Sequence, residues 1–409
     1  MKKAVKRLTR PEPQARIQGV HDLRDLATEH PALHWRMLEQ LSASIRGWSR
    51  AHKLDPPRVF LDDGRMWGFR LDYVESHALD RKPEIEAALQ VIGARVDDAS
   101  RLDVAPREVV AEFGAYNRGG GPLNQGQCRN SIDRIDPKGT PPHPKHVPTF
   151  EGTDVPGVVK AYYVDLSNLH LEHTHLSTSS LAGLRFVDSS FRASVLERSA
   201  FDKADLERAD LCYCLMYGAS LREAYARDVR MVRTDLGGAD LRDAFLVGAD
   251  LRGSNFYKAD LRGACLYGAN LGHFTTLRFA DCRGATFANC DFGSAVLTSR
   301  DGAQAWREDP SRVRSEVEAR AREGVFHADA DLRGADLRFA NFAGAYFVRA
   351  DLRGADLRYA RGLDLSQLEC CCADGRTRFP DDVPPPVAAS LVKRCEGLTV
   401  SSHPDAATG

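Results

Sequence analysis

From Val164 onward the chain places one large apolar residue at every fifth position. Leu206, Leu211, Leu221, Leu236, Leu241, Leu246, Leu251, Phe256, Leu261 and Leu266 belong to an unbroken series of 22 such centres from Leu166 to Leu271. After one additional residue the series resumes from Leu277 to Leu297, stops, and returns from Leu332 to Leu357. The residue two before a centre is often small, as at Ala204, Ala209, Cys214, Ala219, Ala224, Ala239 and Ala244. Five matches neither the helical period nor the alternation of a plain strand. Two apolar positions spaced by two point the same way off an extended backbone. The remaining three positions are polar or glycine-rich. Each unit is therefore expected to bury one large and one small side chain and then turn a corner. Residues tolerant of the left-handed region, such as Gly253 and Gly263, suit that corner. A chain that turns this often with one face always inward winds into a solenoid. Its coils stack at the strand spacing and complete one another's cores.

The text of the repeat is as regular as its period. It reads Ala239-Asp240-Leu241-Arg242-Asp243, Ala249-Asp250-Leu251-Arg252-Gly253, Ala259-Asp260-Leu261-Arg262-Gly263 and Ala335-Asp336-Leu337-Arg338-Phe339. This resembles the pentapeptide repeat proteins over about residues 164–362. The resemblance implies a mainly β protein, a right-handed quadrilateral β-helix with four pentapeptides per coil. The 33 repeats would then make about eight coils, a rod of roughly 40 Å at the spacing of stacked strands.

Residues 1–113 are expected to form a helical N-terminal domain. Ile17, Val20, Leu23, Leu26 and Ala27 share one face, and Trp35, Leu38, Leu41, Ser42 and Ile45 another helix opened near His30-Pro31. Ile85, Ala88, Leu89 and Ile92 mark a third. Residues 114–163 read as a linker or cap, with Gly119-Gly120-Gly121 flexible and Pro141-Pro142 stiff, part of which could cover the first coil. The repeats occupy 164–299 and 328–365. Between them, 300–327 reads as an inserted loop with a short helix: Asp309 as N-cap, Pro310 in the first turn, Val313 and Val317 on one face, Gly324 as stop. This loop is expected to replace the coil. Residues 366–409 form a C-terminal tail. The N-terminal text and Cys370–Pro386 resemble segments of certain bacterial pentapeptide repeat proteins.

The charge is balanced: 56 Lys+Arg against 57 Asp+Glu in 409 residues. This argues against direct nucleic-acid binding and against a strongly acidic mimic of nucleic acid. No secretory leader and no run long enough to cross a membrane is visible, which predicts a cytoplasmic protein without a membrane role. Of ten cysteines, Cys214 and Cys290 fall in the small inward slot and Cys282 at a centre, where cysteine acts as a small hydrophobe in a reduced protein. Cys370-Cys371-Cys372 lacks the spacing of a zinc site.

Stacked coils make residues twenty apart neighbours, so the outer surface can be read. Tyr217, Tyr225, Phe245, Val247, Tyr257 and Tyr267 are expected to form an outward stripe, either an interface or a ladder that only stabilises the sheet face. Asp240/Asp260 beside Arg242/Arg262 read as mutually neutralising columns rather than an anion-binding row. His170, His173 and His175 sit on adjacent faces and make a poor metal set. No catalytic motif, metal site or cofactor site is expected. The reading is of a non-enzymatic binding or scaffold protein, with the insertion, through Arg312, Arg314 and Arg320, and the helical domain giving specificity for a protein partner. The resemblance implies an alternative, because some family members protect DNA gyrase by imitating DNA. A third alternative makes the rod a spacer or homodimerisation element for the helical domain.

Overall fold

The computed structural model describes residues 1–30, 33–51, 82–99, 164, 166–298, 300–323 and 325–401. The expected linker at 114–163 and the His30-Pro31 helix opening at Pro31 lie outside them, as does Gly324. Among the described residues four helices come first: α1 (Lys2–Leu8), α2 (Pro13–Glu29), α3 (His34–Ala51) and α4 (Pro83–Ala99). Pro13 opens α2, where its missing N–H costs nothing. Val20, Leu23 and Ala27 are buried on its inner face, while Ile17 and Leu26 lie at the margin. Gly19 lets α1 cross closely: a Cβ there would meet Leu8 Cδ2 at 2.9 Å. Leu38, Leu41, Ser42 and Ile45 of α3 and Ile85, Ala88, Leu89 and Ile92 of α4 are buried.

The repeats form the expected solenoid. Parallel bridges join His170 to Ser190, His175 to Val195, Ser180 to Ala200 and Arg185 to Asp205. Each circuit therefore takes twenty residues in four five-residue units, a parallel β-helix. Strand pairing is mostly one bridge per side, so extended sheets are few and short. The column Leu166, Phe186, Leu206, Ala226, Leu246, Leu266, Phe287, Leu337, Leu357 is buried throughout. Leu211, Leu221, Leu236, Leu241, Leu251, Phe256 and Leu261 are likewise fully buried. At most corners the centre's carbonyl accepts from the N–H three residues on, as Leu241 O does from Ala244 N at 3.1 Å. The residue two past the centre takes positive φ, +69° at Gly253 and +78° at Gly263, as a type II turn requires. Ala226, the smallest centre, precedes Val229 in the slot that alanine usually fills. Tyr225 stacks outside on Phe245 and does not fill that space.

One inside corner carries a polar spine that the apolar pattern hides. Ser194, Cys214, Thr234, Ser254 and Thr275 each donate a side-chain hydrogen bond to a carbonyl of the preceding coil, for example Thr234 Oγ1 to Leu211 O at 2.7 Å. These buried hydroxyls and thiols are thus satisfied.

The N-terminal end of the rod is covered by α4, which shares its apolar core with the first coil. Two backbone groups of that coil would have paired with a preceding coil. The His175 N–H instead donates to Glu86 Oε1 at 2.7 Å, and the His170 carbonyl accepts from Lys82 Nζ at 3.0 Å. Charged side chains here replace a missing strand edge.

The insertion does not replace a coil, contrary to expectation. Asp281 bridges Asp331, Thr286 bridges Asp336, Asp291 bridges Asn341 and Val296 bridges Tyr346. All four sides resume fifty residues on, one circuit plus thirty residues that leave the rod at a corner. The reason is backbone pairing, which fixes where the next coil must lie whatever the chain does between. Within the excursion lie α5 (Arg300–Glu308), α6 (Pro310–Arg322) and β1 (Val325–His327). Asp309 caps α6 through Arg312 N, with Pro310 in the first turn. Two short strands, β2 (Ala330–Asp331) and β3 (Ala350–Asp351), pair in the second block. The tail adds α7 (Leu365–Leu368), α8 (Pro385–Cys395) and β4 (Thr399–Ser401), which pairs in parallel with β1. Bridging continues past residue 365, since Asp351 pairs with Cys372 and Asp356 with Arg378. Leu391 of α8 joins the core of the rod.

Candidate functional site

The outward stripe is only partly a surface. Tyr217 is 51% exposed and lies over Gly237, where an added Cβ would meet its ring at 3.1 Å. Tyr257 is half-buried, between the guanidinium of Arg278 and the ring of Phe279. Tyr225 is also half-buried. Phe245, Val247 and Tyr267, expected outside and open, are buried with Cys265 and Ala288 in a cluster of their own. Stacking in register contributes to this: Tyr225 and Phe245 face each other at 5.3 Å with rings nearly parallel. The six residues thus offer no continuous apolar face.

The Asp/Arg columns neutralise one another. Arg242 grips Asp240 through Nε and Nη2 at 2.9 and 2.6 Å, and its Nε lies 3.5 Å from Asp260 on the next coil. The same linkage runs through Arg262 to Asp281, Arg283 to Asp331 and Arg333 to Asp351, at 3.6 to 3.7 Å. The ladder therefore crosses the excursion without a break. Burial alone would push the Asp240 carboxyl up, but the Arg242 side chain and N–H more than offset that and hold it below the usual range.

In the excursion, Arg312 and Arg320 are exposed, and Arg312 pairs with Glu316 at 3.0 Å. Arg314 is not a free contact residue. It is half-buried and reaches Glu369 of α7's C-terminus at 3.2 Å, tying the insertion to the tail. Trp306, Val313, Val317 and Phe326 pack there with Val348, Cys370, Cys372 and Cys395. The three contiguous cysteines are thus packing residues. Eight cysteines, Cys265 not among them, are free and buried. Burial pushes the Cys212 thiol up to about 12. Two of the three histidines serve the docking of α4: His170 and His175 contribute backbone groups, and His170 Nδ1 lies 3.3 Å from Glu172.

One feature was not anticipated. Between two sides of the second block, Arg338, Arg358, Arg376 and Arg378 line a groove of about 400 Å³ with Asp336 and Asp356. Its arginines could have been found by reading columns twenty apart through the returning repeats, but Arg376 and Arg378 lie beyond the last clear pentapeptide.

Sequence comparison agrees with this geometry. The Pentapeptide repeats family matches in eight copies over residues 204–243, 234–272 and 329–361. The chain's repeat region is of the pentapeptide repeat family. No curated protein matches the chain by sequence. Among solved structures it is similar to HetL, a pentapeptide repeat protein involved in heterocyst differentiation regulation from the cyanobacterium Nostoc sp. strain PCC 7120. That match is at 22% identity over 49% of this chain and 83% of HetL, with a TM-score of 0.24. It is also similar to QnrB1, a plasmid-mediated fluoroquinolone resistance protein, at 18% identity over 58% of this chain and 90% of QnrB1, with a TM-score of 0.23. Among the described residues, no helix is long and apolar enough to cross a membrane, and no cluster of metal-binding side chains occurs.

Proposed function

We propose that this protein is a non-enzymatic scaffold that binds a protein partner through the module built from its insertion and tail. One observation carries the reading: the thirty residues that leave the rod are folded, although the rod continues in phase without them. An ordered element that the solenoid does not need for its own pairing is a natural place for recognition. Its outer face presents Arg312 and Arg320, while Arg314 holds it in place. The ion-paired ladder supports this reading over imitation of nucleic acid, because it leaves no uncompensated acidic column along that side.

The test is affinity capture from native-cell extract with the full chain and with a variant lacking Thr298–His327. That excision joins Leu297 to Ala328 and restores a five-residue step to Leu332. The expected result is a specific partner retained by the full chain and lost by the excised one. Retention of the same partner by the excised chain would overturn the assignment.

A further inference from the structure

The side of the rod that carries Leu236 and Phe256 has an outward column with a reversible pattern. Arg198 N donates to Tyr217 O, Gly218 N to Gly237 O, Gly238 N to Tyr257 O and Lys258 N to Arg278 O, at 2.7 to 3.1 Å. These bonds set Glu197, Tyr217, Gly237, Tyr257 and Arg278 on five successive coils. The order along the rod is acid, ring, glycine, ring, base. Turning the column end over end leaves the glycine and the rings in place and exchanges the two charges.

The side chains of this column are accessible. Tyr217 lies over Gly237 with half its surface exposed. Glu197, Tyr257 and Arg278 are half-buried. Neither Glu197 nor Arg278 has an ion pair among the described residues. The Arg278 guanidinium rests on the rings of Phe279 and Tyr257, at 4.7 and 5.6 Å, and its Nε has no hydrogen-bond acceptor. In the Asp/Arg ladder on the next side, such charges are matched within the chain. Here a carboxylate and a guanidinium stand about 19 Å apart at the spacing of stacked strands, and they cannot meet within one molecule.

We propose that this face is an interface between two antiparallel copies of the chain, related by a two-fold axis that crosses the rod at Gly237. The axis lies in the plane of the face, so the column meets itself reversed. Glu197 of each copy then meets Arg278 of the other, and Tyr217 meets Tyr257. A closed two-fold contact uses the same patch on both copies, and this column is self-complementary in charge and in shape, as such a contact requires. The axis also brings Asp235 towards Asp235 of the other copy. Its Oδ1 already accepts from Gly237 N and Asn255 Nδ2, at 3.0 and 2.9 Å. This like-charge contact lowers the affinity. Farther along the same side, Arg307 of α5 lies over Tyr346 and ends the overlap. Roughly 30 Å of rod is shared, which places the contact at the small, weak end of specific interfaces. It uses none of the arginines assigned to the insertion and does not depend on the protein partner.

Sedimentation velocity of the full chain at low ionic strength, from micromolar to sub-millimolar concentration, tests the proposal. The wild-type chain is expected to shift from monomer to dimer over that range. Glu197→Arg and Arg278→Glu should each weaken dimerisation by about tenfold or more. Mixed together, the two variants should dimerise again, because one carries positive charge at both sites and the other negative charge at both. That recovery requires both variants to be folded and the charges to meet between molecules. Asp235→Asn keeps the acceptor for Gly237 and Asn255 and should tighten the dimer by about threefold. The chain lacking Thr298–His327 should dimerise as the wild type does. A wild-type chain that stays monomeric throughout overturns the proposal. So does a dimer that either charge reversal leaves unchanged, or a mixture of the two reversals that stays monomeric. A weaker dimer from Asp235→Asn would overturn the placement of the axis, and loss of the dimer in the excised chain would assign the contact to the insertion instead.

Discussion

Leu241→Ala probes the central physical feature of the rod. Leu241 and its column neighbours Leu221 and Leu261 are all fully buried. The coils are held apart by backbone bonds: Leu221 N to Asp240 O and Leu241 N to Asp260 O are both 2.7 Å, and Asp240 N to Ala219 O is 2.9 Å. Removing the side chain therefore leaves a void that the coils cannot close by sliding together. Leucine-to-alanine changes in cores cost about 2–5 kcal/mol, more where collapse is prevented. The cost here should lie in the upper half, about 4 kcal/mol, or a roughly thousandfold faster local opening. Because a solenoid is stabilised between neighbouring coils, the loss should concentrate there. Hydrogen–deuterium exchange resolved by mass spectrometry should show it in peptides covering 216–266, with far smaller changes in 332–357. Arg222→Ser serves as the surface control, since Arg222 is exposed and its guanidinium stands 4.0 Å from Asp240. Equal loss of protection in both variants, or a Leu241→Ala effect below about 1 kcal/mol, would refute the inward facing and the rigid stacking together.

Other perturbations test other joints. Gly93→Ala should lift α4 from the first coil, because the new Cβ would coincide with the Ser180 carbonyl. A cost of about 1–3 kcal/mol, read as faster exchange at 166–181, is expected, and wild-type exchange would contradict the docking. Excision of Thr298–His327 should preserve the far-ultraviolet signature and monodispersity of the rod, with weakening confined to the tail that loses its β1 partner; unfolding of 332–357 would disprove continuity through the excursion. Asp240, Asp250, Asp281 and Asp356 all have carboxyls held low by their arginines. Their contribution is present above the ordinary carboxylate pKa of about 3.9 and is lost as pH falls through the lower folded values. Melting temperature should therefore drop on acidification from pH 4 towards pH 2, and a flat profile would deny the ladder any role.

How much of this was legible follows from which interactions leave a periodic trace. The centres, the left-handed corners and the Asp/Arg neutralisation recur at fixed spacing, so Leu206, Leu246 and Leu266 could be ranked in one column without coordinates. Asp309 and Pro310 signalled α6 through local backbone chemistry alone. The capping of the first coil by Lys82 and Glu86 could not be read, because it pairs side chains with backbone groups nearly ninety residues away. Burial of Phe245, Val247 and Tyr267 was missed because period specifies which way a side chain points, not what covers it. Arg314 looked like its exposed neighbours until Glu369 was placed beside it. The excursion was read as an interruption because a gap in the text resembles a gap in the structure. Only the pairing of Asp281 with Asp331 shows that nothing is missing.

The two mouths of the excursion are fastened together. Thr298 Oγ1 donates to Asp329 Oδ2 at 2.7 Å, and Arg349 reaches the same carboxylate at 3.2 Å. A junction whose ends touch exerts no demand on the length or shape of whatever hangs from it. Cargo of quite different origin could be grafted at this doorway, and the shaft would carry it, giving up only the packing of the excursion on Val348 and the tail.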